Sequence, residues 1–189
     1  MATQTENMVE AALKSLRPTQ MTVGYSEVLL KRQQWRALDK TRRTRFIAEH
    51  RLPAVVGPKG KHYIVDHHHL ARALLEESVE DTRLVVWADL SALAKDEFWL
   101  VMDHRQWVHS YDARGRREPF SAIPRGLGSL IDDPYRSLAA TVHMAGGFPK
   151  EQPPQLRSDP ASALSAAMQV VHDNAAMHLP GWSGRNANN

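Results

Sequence analysis

The strongest constraint on the fold is a pair of β-prone runs, residues 53–56 and 61–65, joined by Gly57-Pro58-Lys59-Gly60 and followed at once by Asp66-His67-His68-His69. Glycine and proline punctuate a turn, and the apolar, β-branched flanks predict a hairpin. Leu70, Ala71, Ala73, Leu74 and Leu75 then carry the period of a helix with one apolar stripe. Residues 82–87 are again β-branched and apolar, which predicts a buried strand. The unit from residue 61 to 87 therefore reads as strand–helix–strand.

Asp66 suits the N-cap of that helix, where its carboxylate would accept from the first free amides. The three histidines then fall on the first turn, where unpaired N–H groups and the positive dipole end favour phosphate or another anion. Three readings compete. In the first, one or two of His67, His68 and His69 act as acid/base or phosphate-contacting groups, a nearby positive dipole favouring the neutral imidazole. Arg72, or Lys59 and Lys61 from the hairpin, would supply phosphate charge, and Asp66 would cap, orient an imidazole or hold Mg2+. In the second, two histidines ligate a transition metal with Asp66, His104 or His109. All three cannot reach one ion from a regular helix, since consecutive residues diverge by about 100°. In the third they are structural: one packs, one caps and one is solvated.

Asp132-Asp133-Pro134-Tyr135-Arg136-Ser137 is the second candidate cluster. Proline at the first helical position makes this a helix start, and two acids before it read first as a cap pair. The functional alternative puts Asp132 or Asp133 at Mg2+ or a substrate ammonium and Arg136 at a carboxylate or phosphate. His143 follows Arg136 by about two helical turns on the same face.

Elsewhere the spacing of Met8, Val9, Ala12, Leu13 and Leu16 predicts a helix over residues 8–17, stopped by Pro18. Helices are expected over 26–35, 41–49, 91–102, 134–144 and 161–178, and a strand and turn over 108–115. Residues 184–189 read as a loose tail. Trp35, Trp87, Trp99 and Trp107 are read as core.

The chain has 189 residues and 42% hydrophobic content, enough for one domain with a core. It contains no cysteine, which excludes disulfides, thiolate catalysis and cysteine-ligated metal sites. No apolar run has transmembrane length and the start is polar, so no membrane association and a cytoplasmic setting are expected. The formal charge is only +3. Lys31, Arg32, Arg36, Lys40, Arg42, Arg43, Arg45 and Arg51 nevertheless form a basic strip against Asp39 and Glu49. It reads as a solvated helical face or, in the functional alternative, as a phosphate-contacting surface for nucleic acid.

Pro18-Thr19-Gln20, Val23-Gly24, the hairpin leading into Asp66-His67-His68-His69, Phe98-Trp99, Asp132-Asp133-Pro134-Tyr135-Arg136-Ser137-Leu138 and Leu179-Pro180-Gly181 together resemble a ParB-like family. This is a bacterial branch of the superfamily that contains ParB, sulfiredoxin and free serine kinases. The resemblance implies a compact α/β (α+β) domain with a small mixed sheet over residues 1–148, and a helical C-terminal extension and tail over 149–189. It also implies a signature loop and helix N-terminus that bind nucleotide phosphates, bordered by the opening segment with Gln20 and Gly24. The glycine of the ParB and sulfiredoxin signatures falls on His67 and an arginine position on Leu70. Sulfiredoxin's reactive cysteine has no counterpart, which excludes cysteine-sulfinate reduction. Residues 149–157 replace an aromatic- and acid-containing segment expected in this branch.

The expected function is binding of a nucleotide or phosphorylated small molecule, with Mg2+-dependent phosphoryl transfer or hydrolysis. Asp66, His67, His68 and His69 would be catalytic, and Gln20, Lys59, Lys61, Arg72 and Arg136 would bind phosphate. Asp66, Asp132 and Asp133 would hold metal. A nucleic-acid-binding, partition-related protein and a histidine-ligated metalloenzyme are the alternatives.

Overall fold

The hairpin and the helix after it organise the computed structural model of the protein, which describes residues 7–144, without the side chains of residues 139, 140 and 142–144. Strand β4 (Leu52–Gly57) pairs antiparallel with β5 (Lys61–Ile64) across the Pro58–Gly60 turn, and α3 (His68–Glu76) follows β5. Lys59 and Gly60 both take positive φ in this turn, the conformation that makes glycine useful there. Strand β6 (Asp81–Asp89) returns on the other side of β4 and runs parallel to it. Thus β5 and β6 flank β4 and do not touch each other. The five-stranded mixed sheet has the order β1-β6-β4-β5-β2, with β1 (Asn7–Ala12) antiparallel to β6 and β2 (Arg17–Pro18) parallel to β5. A separate pair, β3 (Thr22–Val23) and β7 (Ile131–Asp132), is parallel.

Residues alternate between the faces of the sheet. Ala54 and Ile64 join Leu13, Leu16, Leu52 and Leu84 in one core, covered by α1 (Tyr25–Arg36), α2 (Lys40–Glu49) and α3 through Val28, Trp35, Phe46, Leu70 and Leu74. Val55 and Val65 join Met21 on the opposite side, under Phe98, Trp99 and Met102 of α4 (Lys95–His104). Helices therefore pack on both faces of the sheet, on the second face over β4 and β5, as expected for an α/β chain. The last described element is α5 (Pro134–Met144). Among the described residues no helix is long and apolar enough to cross a membrane.

Three expectations are corrected. Residues 8–17 do not form a helix: Asn7 to Ala12 all pair with β6, and Leu13–Ser15 make a single 3-10 turn that seats Leu13 and Leu16 in the core. A short apolar run satisfies either period, and the free edge of β6 decides it. The helix expected at residue 91 begins at Lys95, because Asp89 accepts from the Ser91 amide and Glu97 from the Ala94 amide, making the true start a box around Ala94. Residues 108–111 supply only isolated bridges, Gln20 with His109 and Tyr111 with Arg117. The expected helix over 161–178, the segment 149–157 and the tail over 184–189 lie outside the described residues.

Gly57 shows how closely α4 seats on the hairpin. A Cβ there would stand 2.6 Å from the Tyr63 ring and 2.8 Å from the Phe98 ring. Gly57→Ala is expected to cost about 1–3 kcal/mol through this overpacking, measured as a lowered midpoint in urea with an unchanged m-value.

Candidate functional site

The start of α3 is the centre of the site, and its geometry differs from the expectation in one respect. Asp66 is not the N-cap. The sheet continues through the Val65 amide, which donates to the Pro53 carbonyl, so the turn is pushed one residue on. Asp66 Oδ1 instead accepts from the His67 amide at 2.7 Å, and His67 is the N-cap at φ 60°, ψ 27°. A non-glycine residue in this left-handed region is uncommon and mildly strained. It stands where the ParB and sulfiredoxin signatures carry glycine. Among the described residues no side chain caps α3.

The three imidazoles separate into two kinds. His68 is buried, and its Nε2 accepts the Thr19 amide at 3.1 Å. His69 Nε2 accepts the Gly24 amide at 2.9 Å, while Nδ1 lies 3.5 Å from Glu27 Oε2. A backbone N–H can only donate, so in both rings Nε2 is unprotonated and the neutral form carries its hydrogen on Nδ1. Burial is the main reason that the His69 pKa falls to about 4; Arg136 and Lys31 push the same way, against Glu27 and Asp66. His67 is exposed, and its ring has no hydrogen-bond partner among the described residues.

The α5 cluster closes on the same segment. Asp133 caps α5, accepting from the Tyr135 and Arg136 amides and from Thr22 Oγ1, with the Arg136 guanidinium 3.6 Å away. Asp132 accepts from the Tyr25 amide at 2.9 Å, and Ser137 Oγ from the Ser26 amide at 3.3 Å, so residues of α5 and its lead-in cap α1. The two helix starts meet at Gly24, where a Cβ would stand 2.7 Å from the Ser137 nitrogen; φ is −76°, so space and not conformation requires the glycine. Gln20 is held at both ends, donating to the Thr22 carbonyl and accepting from Arg136 at 3.4 Å.

The structure thus gathers Gln20, Gly24, Asp66 to His69, Asp132, Asp133 and Arg136. It does not gather the other expected cations. Lys61 stands at the far end of β5 and Lys59 in the turn beyond it, about 13 Å of extended chain from Val65. Arg72 donates to Glu76 at 2.7 Å and to the Leu127 carbonyl at 2.8 Å, one turn past the open amides. Within the basic strip, Arg32 and Arg36 bind Glu77, Arg32 also binds Glu76, Arg45 binds Glu49, and Arg43 lies over Trp35. His104 is exposed at the end of α4, and His109 stacks on Tyr111. Thr19 and Ser137 fall inside the expected motifs but had no role assigned there, and Glu27 was not foreseen; only contacts between distant segments select these roles.

The lowered pKa of His69 sets a pH dependence. Between about 4 in the fold and the ordinary 6.5, the unfolded chain holds a proton at this ring that the native chain lacks. Stability contributed by His69 is therefore present above about pH 6.5 and is lost as the pH falls toward 4, on the order of 3 kcal/mol in all. His69→Gln keeps an acceptor for Gly24 and removes the titration. Its urea-derived stability is expected to decline less steeply over this window than that of the wild type; parallel curves would contradict the assignment.

Comparison with known proteins gives the family and supports the fold. Residues 9–157 match the family described as "Putative ParB-like nuclease". The crystal structure of protein Atu1540 from Agrobacterium tumefaciens is 40% identical, covers 95% of this chain and 98% of its own, and superposes with a TM-score of 0.75. A search of curated proteins gave no match. The chain belongs to the ParB-like nuclease family.

Proposed function

We propose that the protein binds the phosphate of a nucleotide or a phosphorylated small molecule at the amide end of α3 and catalyses phosphoryl transfer or hydrolysis there. The observation that carries this reading is the start of α3, which no side chain among the described residues caps, beside the cationic Arg136 and Lys31 that act on His69. The other helix starts around it are already served: α1 by Asp132 and Ser137, and α5 by Asp133. Open amides at a helix start bind an anion through hydrogen bonds and the dipole together.

The roles follow from which groups remain exchangeable. His68 and His69 spend Nε2 on backbone amides and position the opening segment. His67, exposed and adjoining the open amides, is the acid/base. Arg136, aimed by Gln20 and Asp133, supplies positive charge to the phosphate, and Lys59, Lys61 and Arg72 contribute only longer-range charge. Asp66 fixes the left-handed turn through the His67 amide. Among the described residues no three His, Asp or Glu side chains gather around one cation position. Mg2+ fits only in company with the substrate, held by a free oxygen of Asp66 or Asp132 and by phosphate and water, where it would neutralise charge on the transferred group.

The family description favours a second reading, the same chemistry on a nucleic-acid phosphodiester. The carboxylate partners of Arg32, Arg36 and Arg45 weigh against a large phosphate footprint on α1 and α2. That reading requires binding that weakens with salt, by about 0.9 in log K per neutralised phosphate for each decade of salt.

Calorimetric titration with ATP, ADP, CTP and inorganic phosphate, with and without Mg2+, tests the primary reading. At least one is expected to bind and to raise the melting temperature. Arg136→Gln should weaken that binding about tenfold or more, as loss of a charged hydrogen bond does. His67→Gln should retain binding and lower turnover about 100-fold. If no phosphate compound binds at millimolar concentration, the proposal fails.

A further inference from the structure

Trp87 does not occupy the core. It is 52% exposed, on a half-sheet that no helix among the described residues covers. Helix α4 packs over β4 and β5 on this face, through Tyr63 and Val55, and leaves β6 and β1 open. The pairing of β4 with β6 runs Ala54 to Val86 and then Val55 to Ala88, so Trp87 is the extra residue of a bulge. Bulges re-aim side chains. This one sets the indole 5.9 Å from Trp107, whose own ring lies 5.4 Å from the Arg105 guanidinium. Next along the open face come the cross-strand pairs Met8 with Val85 and Glu10 with Arg83, and then Asp81. Met8 is 59% exposed. Glu10, Asp81 and Arg83 have no ion-pair partner among the described residues.

We propose that this face is an interface between two copies of the chain, related by a two-fold axis near Met8 and Val85. The order of groups along it supplies the argument. One end carries the carboxylates of Glu10 and Asp81 with Arg83, the middle is apolar, and the other end carries Trp87, Trp107 and Arg105. A two-fold rotation lays each end over its opposite. Arg105 of one copy then meets Glu10 and Asp81 of the other, and Arg83 meets the face of an indole, a favourable cation–π geometry. The patch holds both halves of its own charge complement in inverted order, as an isologous interface requires. Its exposed Trp87, half-buried Trp107 and exposed arginines are the residue types that dominate binding energy in such interfaces.

Sedimentation velocity of the full chain across the micromolar range tests this. The wild type is expected to dimerise, and Trp87→Glu to raise the dissociation constant about 30-fold or more. Arg105→Glu and Glu10→Lys should each weaken the dimer, and the double variant should recover a substantial part of the loss. Melting curves show whether each variant is folded, and Arg105→Glu and Glu10→Lys, at exposed positions, serve should Trp87→Glu fail to fold. A wild type that stays monomeric overturns the proposal. If Trp87→Glu nonetheless destabilises that monomer, the face is covered by the chain's own residues. If it does not, the face is free or takes a different partner. A dimer that ignores all three substitutions also overturns it.

Discussion

Two buried imidazoles accepting backbone amides hold the site together. The stretch from Thr19 to Gly24 crosses from the main sheet to the start of α1 with little regular pairing of its own, yet all of it is buried. Its amides need partners, since a buried N–H left without one costs about 1–3 kcal/mol. His68 serves Thr19 and His69 serves Gly24. Thr19 also donates its hydroxyl to the Ile64 carbonyl, so the stretch is tied to both β5 and α3. Gln20, Thr22 and Gly24 then take the places from which they aim Arg136, support Asp133 and admit the backbone of Ser137.

This division of labour changes the meaning of the triple histidine. Consecutive residues on one helical turn face different surroundings, and the three rings divide accordingly. Two of them are fixed as acceptors of backbone amides, and burial holds His69 far below its ordinary pKa. Only His67 is left to the solvent. Its left-handed backbone is a conformation that costs glycine nothing and other residues about 1 kcal/mol or more. The chain gives up that freedom and gains an exposed imidazole beside the open amides.

Much of the fold was legible where local signals agree with the global arrangement. The Gly57 to Gly60 turn, the α3 stripe, Pro134 at the start of α5 and the β-branched run of β6 all have one physical solution, although β6 is buried on one face only. Residues 8–17 had two, and the edge of β6 chose. For the site, sequence marked Asp66 to His69 and Asp132 to Arg136 but not their connection, which runs through Thr19, Gly24 and Glu27. The expected charge on Lys59, Lys61 and Arg72 rested on proximity in sequence. An extended strand carries the two lysines away, and Glu76 takes the arginine. Trp87 was read as core by residue type alone; a one-residue shift in strand register sets it outside.

The bonds that build the site share one property. The ring of His68 reaches 49 residues back to Thr19, Asp132 reaches 107 to Tyr25, and Arg136 reaches 116 to Gln20. Local structure such as the hairpin and α3 can form early, but contacts of this span await loop closure and are slow by comparison. During synthesis, the histidine-bearing helix leaves the ribosome well before the residues that complete its surroundings. The histidine-bearing segment therefore lacks its later partners until Asp132 to Ser137 emerge, and the arrangement around it is completed late, with the docking of α5.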